Sequence, residues 1–159
     1  MIEDIDVSND NATSMSVVRL KVKLTDGAPL PRHAKLGDAG LDLTSRDTVN
    51  IQPGETHFVG TGVSVEIPEG YFGLIAPRSG LACKYGITFA NTPGIIDSGY
   101  RGEIKVALHN IGQNGYTVHR DERICQLVIV PYATCACVEV DELSETDRGS
   151  GGFGSTGVR

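Results

Sequence analysis

Turn-forming residues recur roughly every eight to twelve residues through most of the chain, and this spacing limits the possible folds more than any other feature. The turns include Gln52–Glu55, Gly60–Gly62, Pro68–Gly70 and Ile111–Gly115, and short apolar runs lie between them. Twenty glycines and seven prolines, against four phenylalanines and no tryptophan, fit the same pattern. Short strands at this spacing are typical of a β-sandwich or jelly roll. The sequence therefore predicts an all-β, jelly-roll-like barrel or sandwich.

Apolar periodicity marks the individual strands. Val18 to Leu24 alternates apolar with basic residues, which predicts a half-buried strand. Ile124–Val130 is the most apolar run and predicts a central strand. Its one polar residue, Gln126, can be satisfied by backbone groups or by a ligand. Further strands are predicted at 48–51, 56–60, 63–67, 71–76, 104–110, 116–119 and 132–140.

One short helix is predicted between Ser79 and Gly86. Ser79 stands where an N-cap residue belongs, and Gly86 stands where a helix commonly ends. The start of a helix offers free N–H groups and a partial positive charge, so Arg78, Ser79 and Gly80 can hold a phosphate. The alternative is an ordinary connecting helix whose arginine faces water.

Length and charge bound the broad class. The 159 residues suit one β domain at 17–143, with a flexible tail at 1–16 and a flexible Gly-rich arm at 144–159. A net charge of −6 disfavours nucleic-acid binding, although a few local basic residues can bind a small anion. No run approaches the ~18 apolar residues of a membrane span, and the acidic start lacks a signal pattern. We therefore expect a cytoplasmic protein with no membrane partner.

The cysteines do not form a metal-binding pattern. Cys135 and Cys137 are separated by one residue, which is not a zinc spacing, and no second pair completes a site. Free cysteines are usually buried and unreactive, so all four, Cys83, Cys125, Cys135 and Cys137, are expected to be small buried residues.

Residues 91–106 have the pattern of a β-hairpin with polar residues at its tip. Asn91–Gly94 and Asp97–Gly99 are turns, and Tyr100 follows the second turn. Such a tip can hold a flat ligand, with backbone groups on its polar edge and the aromatic ring on its face. The alternative is that Asp97 bonds only its own backbone, as aspartates in turns commonly do.

Two other segments have both a functional and a purely structural interpretation. Asp38 and Asp42 flank small residues, so one of them can help to hold a divalent cation, or the segment can be a Gly-rich strand entry. The tail from Asp147 can be a disordered end. It can also be a flap in which glycines approach phosphates, Arg148 adds charge and Phe153 stacks on a ring.

Together, five segments of the chain resemble the five ordered motifs of the trimeric deoxyuridine triphosphate nucleotidohydrolases (dUTPases). The resemblance extends from about Val17 to the C-terminus, and five motifs in the right order are far more specific than any one of them. The segments are 38–43 (DAGLDL), 77–82 (PRSGLA), 94–104 (GIIDSGYRGEI), 123–127 (RICQL) and 148–157 (RGSGGFGSTG).

The resemblance implies a jelly-roll-like all-β fold of the dUTPase β-clip type, assembled as a homotrimer, with Mg²⁺ as cofactor. It also implies hydrolysis of dUTP to dUMP and pyrophosphate by attack of water on the α-phosphorus. That reaction limits uracil incorporation into DNA and supplies dUMP for dTMP synthesis. Each active site would combine all three subunits, and the C-terminal arm would close over one site.

The resemblance implies a role for each matching residue. Asp97 would be the catalytic base that deprotonates the attacking water. Tyr100 would stack under the deoxyribose and exclude a ribose 2′-hydroxyl, and Asp38 would bind Mg²⁺ through water. The other predicted substrate-binding residues are Asn91, Ile95 and Ile96 with Asp97 at the uracil edge, Arg78, Ser79, Gly80 and Gln126 at the phosphates, Lys105 near the substrate, and Arg148, Phe153, Gly154 and Ser155 in the arm.

Two departures from the motifs and two rival functions stand beside this interpretation. Many relatives have threonine at the position of Ile95 and alanine at that of Cys125. The first rival is the related dCTP deaminase, alone or in its bifunctional form, which would need a catalytic glutamate near the hairpin, where Glu103 stands. The second is a non-catalytic nucleotide sensor of the same fold. The presence of Asp97, Arg78 and the C-terminal arm argues against this second function.

Overall fold

The computed structural model describes residues 17–25 and 27–152, and within these ranges the regular secondary structure is almost entirely β-strand. Eleven strands and one helix are present, which confirms the prediction of an all-β fold with one short helix. The elements are β1 (Lys21–Leu24), β2 (Leu41–Thr44), β3 (Val49–Ile51), β4 (Thr56–Gly60), β5 (Val63–Glu66), β6 (Tyr71–Pro77), α1 (Ser79–Tyr85), β7 (Ile87–Phe89), β8 (Gly94–Ile96), β9 (Lys105–Asn110), β10 (Tyr116–Val118) and β11 (Arg123–Pro131).

The strands form four antiparallel sheets around one core. Their orders are β1-β5, β10-β3, β2-β11-β6-β8 and β4-β9-β7. Every sheet contributes fully buried side chains to the core, for example Val63, Ile51, Leu127 and Leu108. The predicted central strand β11 lies between β2 and β6, which explains its apolar character because it has neighbours on both edges.

Helix α1 begins one residue earlier than the sequence pattern indicates. The N-cap is Arg78, which makes no side-chain cap, and Ser79 is the first helical residue, so the assignment of Ser79 as the cap is wrong. Arg78 keeps the extended backbone of β6 (φ −81°, ψ 126°), and its carbonyl accepts the N–H groups of Leu81 and Ala82. Gly86 ends the helix with a left-handed φ of 70°, as predicted. Among the described residues, no helix has the length and apolar character needed to cross a membrane.

Replacing Gly86 with alanine is expected to lower the free energy of unfolding by about 2–4 kcal/mol. Left-handed backbone is unfavourable for alanine, and the added methyl carbon would lie only 2.6 Å from the Gly112 nitrogen. Gly54→Ala is the matched control, because Gly54 also has a left-handed φ of 80° but has open space around the added carbon. Urea unfolding of both variants measures the difference, and equal losses would contradict the role of the Gly112 contact.

The predicted hairpin at 91–106 is not a hairpin. β8 pairs with β6, whereas β9 pairs with β4 and β7, so the two strands belong to different sheets. The connection 97–104 is longer than a tight turn and crosses from one sheet to the other. Local turn chemistry therefore identified the bends correctly but could not identify the strand partners.

The predicted last strand at 132–140 is absent from the described chain. β11 ends at Pro131, and residues 133–143 are exposed and pair with no described strand. The apolar side chains of Val138, Val140 and Leu143 are exposed as well. For the same reason, Cys135 and Cys137 are exposed rather than buried. Cys83, on α1, is exposed as well. Among the four cysteines, only Cys125 is buried as expected.

Candidate active site

A carboxylate held between two guanidinium groups lies at the junction of β2, β6 and β11. Arg78 Nε lies 3.4 Å from Asp42 Oδ1, and Arg123 Nη1 donates a 2.9 Å hydrogen bond to Asp42 Oδ2. Arg78 Nη1 also donates to the backbone oxygen of Arg123 at 3.1 Å. We call Asp42, Arg78 and Arg123 the arginine cluster. Its two cations and the adjacent start of α1 provide donors suited to a phosphate.

Gln126 belongs to the same region of the molecule. It pairs with Asp42 across β2 and with Ala76 across β6, and directly paired residues share one face of a sheet. A Cβ at Gly40 would lie 3.0 Å from the Gln126 Cβ and 3.2 Å from its Oε1. Glycine at position 40 therefore lets the loop before β2 pass close over the Gln126 side chain. Gln126 is thus brought together with the arginine cluster.

Cys125, next to Gln126, is a packing residue rather than a reactive one. Burial raises the pKa of its thiol to about 12, and the negative charge of Asp42 acts in the same direction against the opposing Arg78. The thiol therefore stays protonated at neutral pH and fills space as a small apolar group. This explains how cysteine can stand in this motif without a chemical role.

A second group of predicted residues surrounds a small pocket on the edge strand β8. Four of its lining residues, Asn91, Ile95, Ile96 and Lys105, are on the list of predicted substrate-binding residues. The pocket has a volume of about 60 Å³, which admits part of a flat ring and not a whole nucleotide. β8 is the outermost strand of its sheet, so the backbone groups along its free edge are available to a ligand.

The turn after β8 fixes Tyr100 and leaves Asp97 unengaged. The Tyr100 backbone N–H donates a 3.0 Å hydrogen bond to the backbone carbonyl oxygen of Asp97. The Tyr100 hydroxyl donates a 2.9 Å hydrogen bond to the backbone carbonyl oxygen of Glu103. A Cβ at Gly102 would lie 2.4 Å from that hydroxyl oxygen, so the tyrosine ring lies directly over Gly102. The Asp97 carboxylate is exposed and has no hydrogen bond or ion pair to any described residue. It therefore does not bond its own backbone, which was the alternative interpretation of this turn.

Glu103 has a structural engagement that argues against the deaminase alternative. Its Oε1 accepts a 2.8 Å hydrogen bond from the backbone of Gly62, and its Oε2 lies 3.8 Å from Lys105 Nζ. A carboxylate that anchors a neighbouring turn is poorly suited to activate water at a pyrimidine ring. Within the connection 97–104, Asp97 is the carboxylate that remains available to activate a water molecule.

The arginine cluster and Asp97 lie toward opposite ends of β6. Ile96 pairs with Gly73 near the start of β6, so Asp97 follows beside that end, whereas Arg78 comes directly after the other end. Six residues of strand, at ~3.3 Å each, separate the positions of Asp97 and Arg78 along the strand direction by about 20 Å. One α-phosphate therefore cannot lie beside Asp97 and in the arginine cluster of the same chain.

The two aspartates of the first motif have different surroundings. Asp38 lies in an exposed loop, where its Oδ2 accepts a 2.9 Å hydrogen bond from the Lys35 N–H, so it is not part of the arginine cluster. Asp42 was not given a separate role from the sequence, yet it lies at the centre of that cluster. The signal that could have found it is its place on β2, directly opposite Gln126 on the strand that carries the fourth motif.

Asp42 also fits a magnesium ion held through water. Over residues 17–25 and 27–152, no group of three or more His, Cys, Asp or Glu side chains could hold a metal ion. Mg²⁺ does not need such a group, because it often keeps several waters and uses one or two carboxylates together with substrate phosphates. The Oδ1 of Asp42 is buried and accepts no hydrogen bond within the described part of the chain, which leaves it able to accept one from such a water.

Only the start of the C-terminal arm is described. Arg148 is exposed, and its Nε donates a 3.1 Å hydrogen bond to the Gly151 oxygen in a local turn. Phe153, Gly154 and Ser155 lie outside the described residues. Arg148 is therefore not brought together with either group of site residues in the single chain.

Comparison with known proteins identifies one family across most of the chain. The sequence model of the dUTPase family matches residues 26–157. A deoxyuridine 5'-triphosphate nucleotidohydrolase of Gloeothece citriformis is 50% identical over 142 residues, which cover 89% of this chain and 98% of the relative. The corresponding protein of Thermobifida fusca is 48% identical over 153 residues, covering 95% of this chain and 86% of the relative.

Solved structures agree with the sequence relatives. A mutant dUTPase of Staphylococcus bacteriophage 80alpha, solved with dUpNHpp, superposes with a TM-score of 0.83 at 34% identity and covers 89% of this chain and 100% of its own. A mutant dUTPase of S. aureus phage phi11, described with a structural Mg(II) ion, has a TM-score of 0.74 at 29% identity, with coverages of 80% and 100%. On the match of the family model and the identity to these relatives, the chain belongs to the dUTPase family.

Proposed function

We propose that this chain hydrolyses dUTP to dUMP and pyrophosphate with Mg²⁺, in a homotrimer whose active sites are shared between subunits. The observation that carries the proposal is the unengaged Asp97 carboxylate beside a pocket lined by Asn91, Ile95, Ile96 and Lys105. Family membership adds to it, because the relatives at about 50% identity are named for this activity. The residues around the pocket and in the arginine cluster supply the chemistry that the reaction needs.

The β8 pocket supports recognition of uracil. Asn91 and the free backbone edge of β8 can bond the polar edge of the base, and the small pocket leaves little room for the methyl group of thymine. An unmet donor or acceptor in such a pocket rejects cytosine more strongly than a lost apolar contact would. Tyr100, fixed by its bond to Glu103, would stack under the deoxyribose and exclude a 2′-hydroxyl.

Asp97 acts as the general base. It orients a water molecule and accepts its proton, while the water oxygen forms a bond to the α-phosphorus in line with the leaving group. The bond from the α-phosphorus to the bridging oxygen breaks, and pyrophosphate leaves. Arg78 stabilises the negative charge on the phosphates, together with Ser79, Gly80 and Gln126. Arg148 and the arm residues Phe153, Gly154 and Ser155 would cover the nucleotide from outside.

Two features of the single chain support a homotrimer with shared sites. The separation of about 20 Å between Asp97 and Arg78 along the strand supports sites in which these two residues come from different copies. The exposed segment 133–143 offers unpaired backbone and the apolar side chains of Val138 and Val140 to another copy. The antiparallel sheets around one core are compatible with a jelly-roll-like arrangement in each subunit.

Magnesium, when bound, neutralises charge on the phosphates and helps to hold them in one conformation. Asp38 is the ligand implied by the resemblance to the family, and Asp42 is a second candidate. We favour Asp42, because it contacts Arg78 and has a buried oxygen without a hydrogen bond, whereas Asp38 is bonded to Lys35.

Asparagine substitutions at the two positions test the magnesium assignment. Asp42→Asn is expected to raise the Mg²⁺ concentration for half-maximal activity about tenfold or more, because an amide oxygen carries no charge to hold a hydrated cation. Asp38→Asn, the matched control, is expected to change it less than about twofold. Magnesium titrations of dUTP turnover measure both values. A large shift for Asp38→Asn alone would return the role to Asp38.

A pyrophosphate-release assay with dUTP, dTTP, dCTP and UTP, with and without Mg²⁺, tests the reaction itself. We expect rapid release from dUTP that depends on Mg²⁺, with kcat/KM for each of the other three lower by at least about 100-fold. Ammonia release from dCTP would instead support the deaminase alternative. Binding of dUTP without turnover would support a nucleotide sensor.

A further inference from the structure

Arg123 is placed to control Arg78 without being a predicted ligand of the substrate. It begins β11, where its backbone pairs with Thr44 of β2, and the register of this pairing shifts between Arg123 and Cys125. An irregularity of this kind bends a strand locally and re-aims the side chain at its start. Here the Arg123 side chain extends to the Asp42 carboxylate.

Two contacts connect Arg123 to Arg78. The Arg123 carbonyl accepts a hydrogen bond from Arg78 Nη1, and the Arg123 guanidinium holds the far oxygen of the carboxylate that faces Arg78 Nε. The carboxylate of Asp42 is only 9% exposed, whereas the Arg123 side chain is 49% exposed. A carboxylate with so little contact with water depends on its two cations for compensation.

From this geometry we propose that Arg123 is a positioning residue that keeps Arg78 available to the phosphates. With Arg123 present, Asp42 is neutralised through Oδ2, and Arg78 lies at the longer distance of 3.4 Å from Oδ1. Without the Arg123 side chain, Asp42 has Arg78 as its one remaining cation in the cluster. The carboxylate then draws Arg78 into a closer ion pair, and the guanidinium has fewer donors free for a phosphate. This inference rests on the proposed role of Arg78 in binding the triphosphate.

Substitutions at Arg123 in two backgrounds test the proposal. In the otherwise native enzyme, Arg123→Ala is expected to raise the KM for dUTP and the Kd for dUpNHpp about tenfold, with a smaller change in kcat. Arg123→Lys retains a cation for Asp42 and is expected to recover most of the affinity. In an Arg78→Ala background, Arg123→Ala should change the Kd less than about twofold, because the residue through which it acts is gone.

Controls separate this role from a loss of stability. Lys21→Ala removes an exposed ion pair with Glu66 on another sheet, and it should leave KM and Kd unchanged. A native-like melting temperature for Arg123→Ala, with the higher Kd, supports positioning. If Arg123→Ala does not fold, Arg123→Gln, which removes the charge but keeps a polar side chain, gives the same comparison in both backgrounds. An equal effect of Arg123→Ala with and without Arg78, or an unchanged Kd, overturns the proposal.

Failure of the proposed reaction would look different. If the native protein bound dUpNHpp but did not hydrolyse dUTP, the reaction would be refuted. The Kd comparison would still decide the role of Arg123, because it needs no turnover.

Discussion

Asp97→Asn is expected to lower the turnover of dUTP by about 10²- to 10⁴-fold while the Kd for dUpNHpp changes less than about threefold. The asparagine amide keeps the size of the carboxylate but cannot accept a proton from the attacking water. The Asp97 side chain makes no hydrogen bond or ion pair with the described residues, so the substitution removes no stabilising contact. Pyrophosphate release measures turnover, and calorimetry measures nucleotide binding.

Asp47→Asn is the matched control for Asp97→Asn. Asp47 is also an exposed aspartate at a bend, and its hydrogen bonds with Ser45 use only backbone atoms of Asp47. It should retain full turnover. Near-native turnover of the Asp97 variant would show that another group takes the proton, and a large loss of binding would show that Asp97 mainly holds the nucleotide.

Deletion of residues 148–159 is expected to leave a folded trimer whose kcat/KM for dUTP is lower by about 100-fold. The core described above lies entirely before this segment, and Arg148 makes only a local hydrogen bond with Gly151. The loss would come from removal of the charge of Arg148 and of the cover that we propose for Phe153. Size-exclusion chromatography, thermal melting and pyrophosphate release measure assembly, stability and activity.

Deletion of residues 1–16 is the control for the arm, because it removes another terminal segment that lies outside the five motifs. This variant should keep the activity of the full chain. Full activity without residues 148–159 would refute the flap, whereas loss of the trimer on that deletion would show that the arm serves assembly rather than catalysis.

The sequence predicted the fold well where the information was local. Alternation and turn residues located most strands within one or two residues, and glycine at position 86 correctly marked the end of the helix. The pattern missed β2 and β7, which are short and lie beside glycines. It also placed the N-cap at Ser79 instead of Arg78. The position of the cap depends on the backbone angles of Arg78, which are set by the end of β6 and cannot be read from residue types.

Partners in space could not be read from the sequence. The bends around 91–106 were correct, but the pairing of β8 with β6 depends on residues some twenty positions earlier in the chain. The apolar segment at 132–140 has the pattern of a strand, yet a strand forms only where another edge can pair with it. Its absence from a single chain is the result expected if that edge belongs to another copy.

For the active site, the motifs named most residues but not their grouping. Gln126 and Arg78 lie in the same region, and Asn91, Ile95, Ile96 and Lys105 share one pocket. The central place of Asp42 became visible only from the strand register, since two aspartates four residues apart look equivalent in the sequence. The roles of all these residues remain predictions that the experiments above can test.

Mixed trimers test the central claim, a site shared between subunits, most directly. Asp97→Asn and Arg78→Ala chains should each be nearly inactive alone. If Asp97 and Arg78 of one site come from different copies, random assembly of equal amounts leaves about a quarter of the sites with both residues intact. Co-expressed, differently tagged chains should therefore recover about a quarter of the native dUTP turnover. Mixed trimers with no more activity than either variant alone would contradict a shared site.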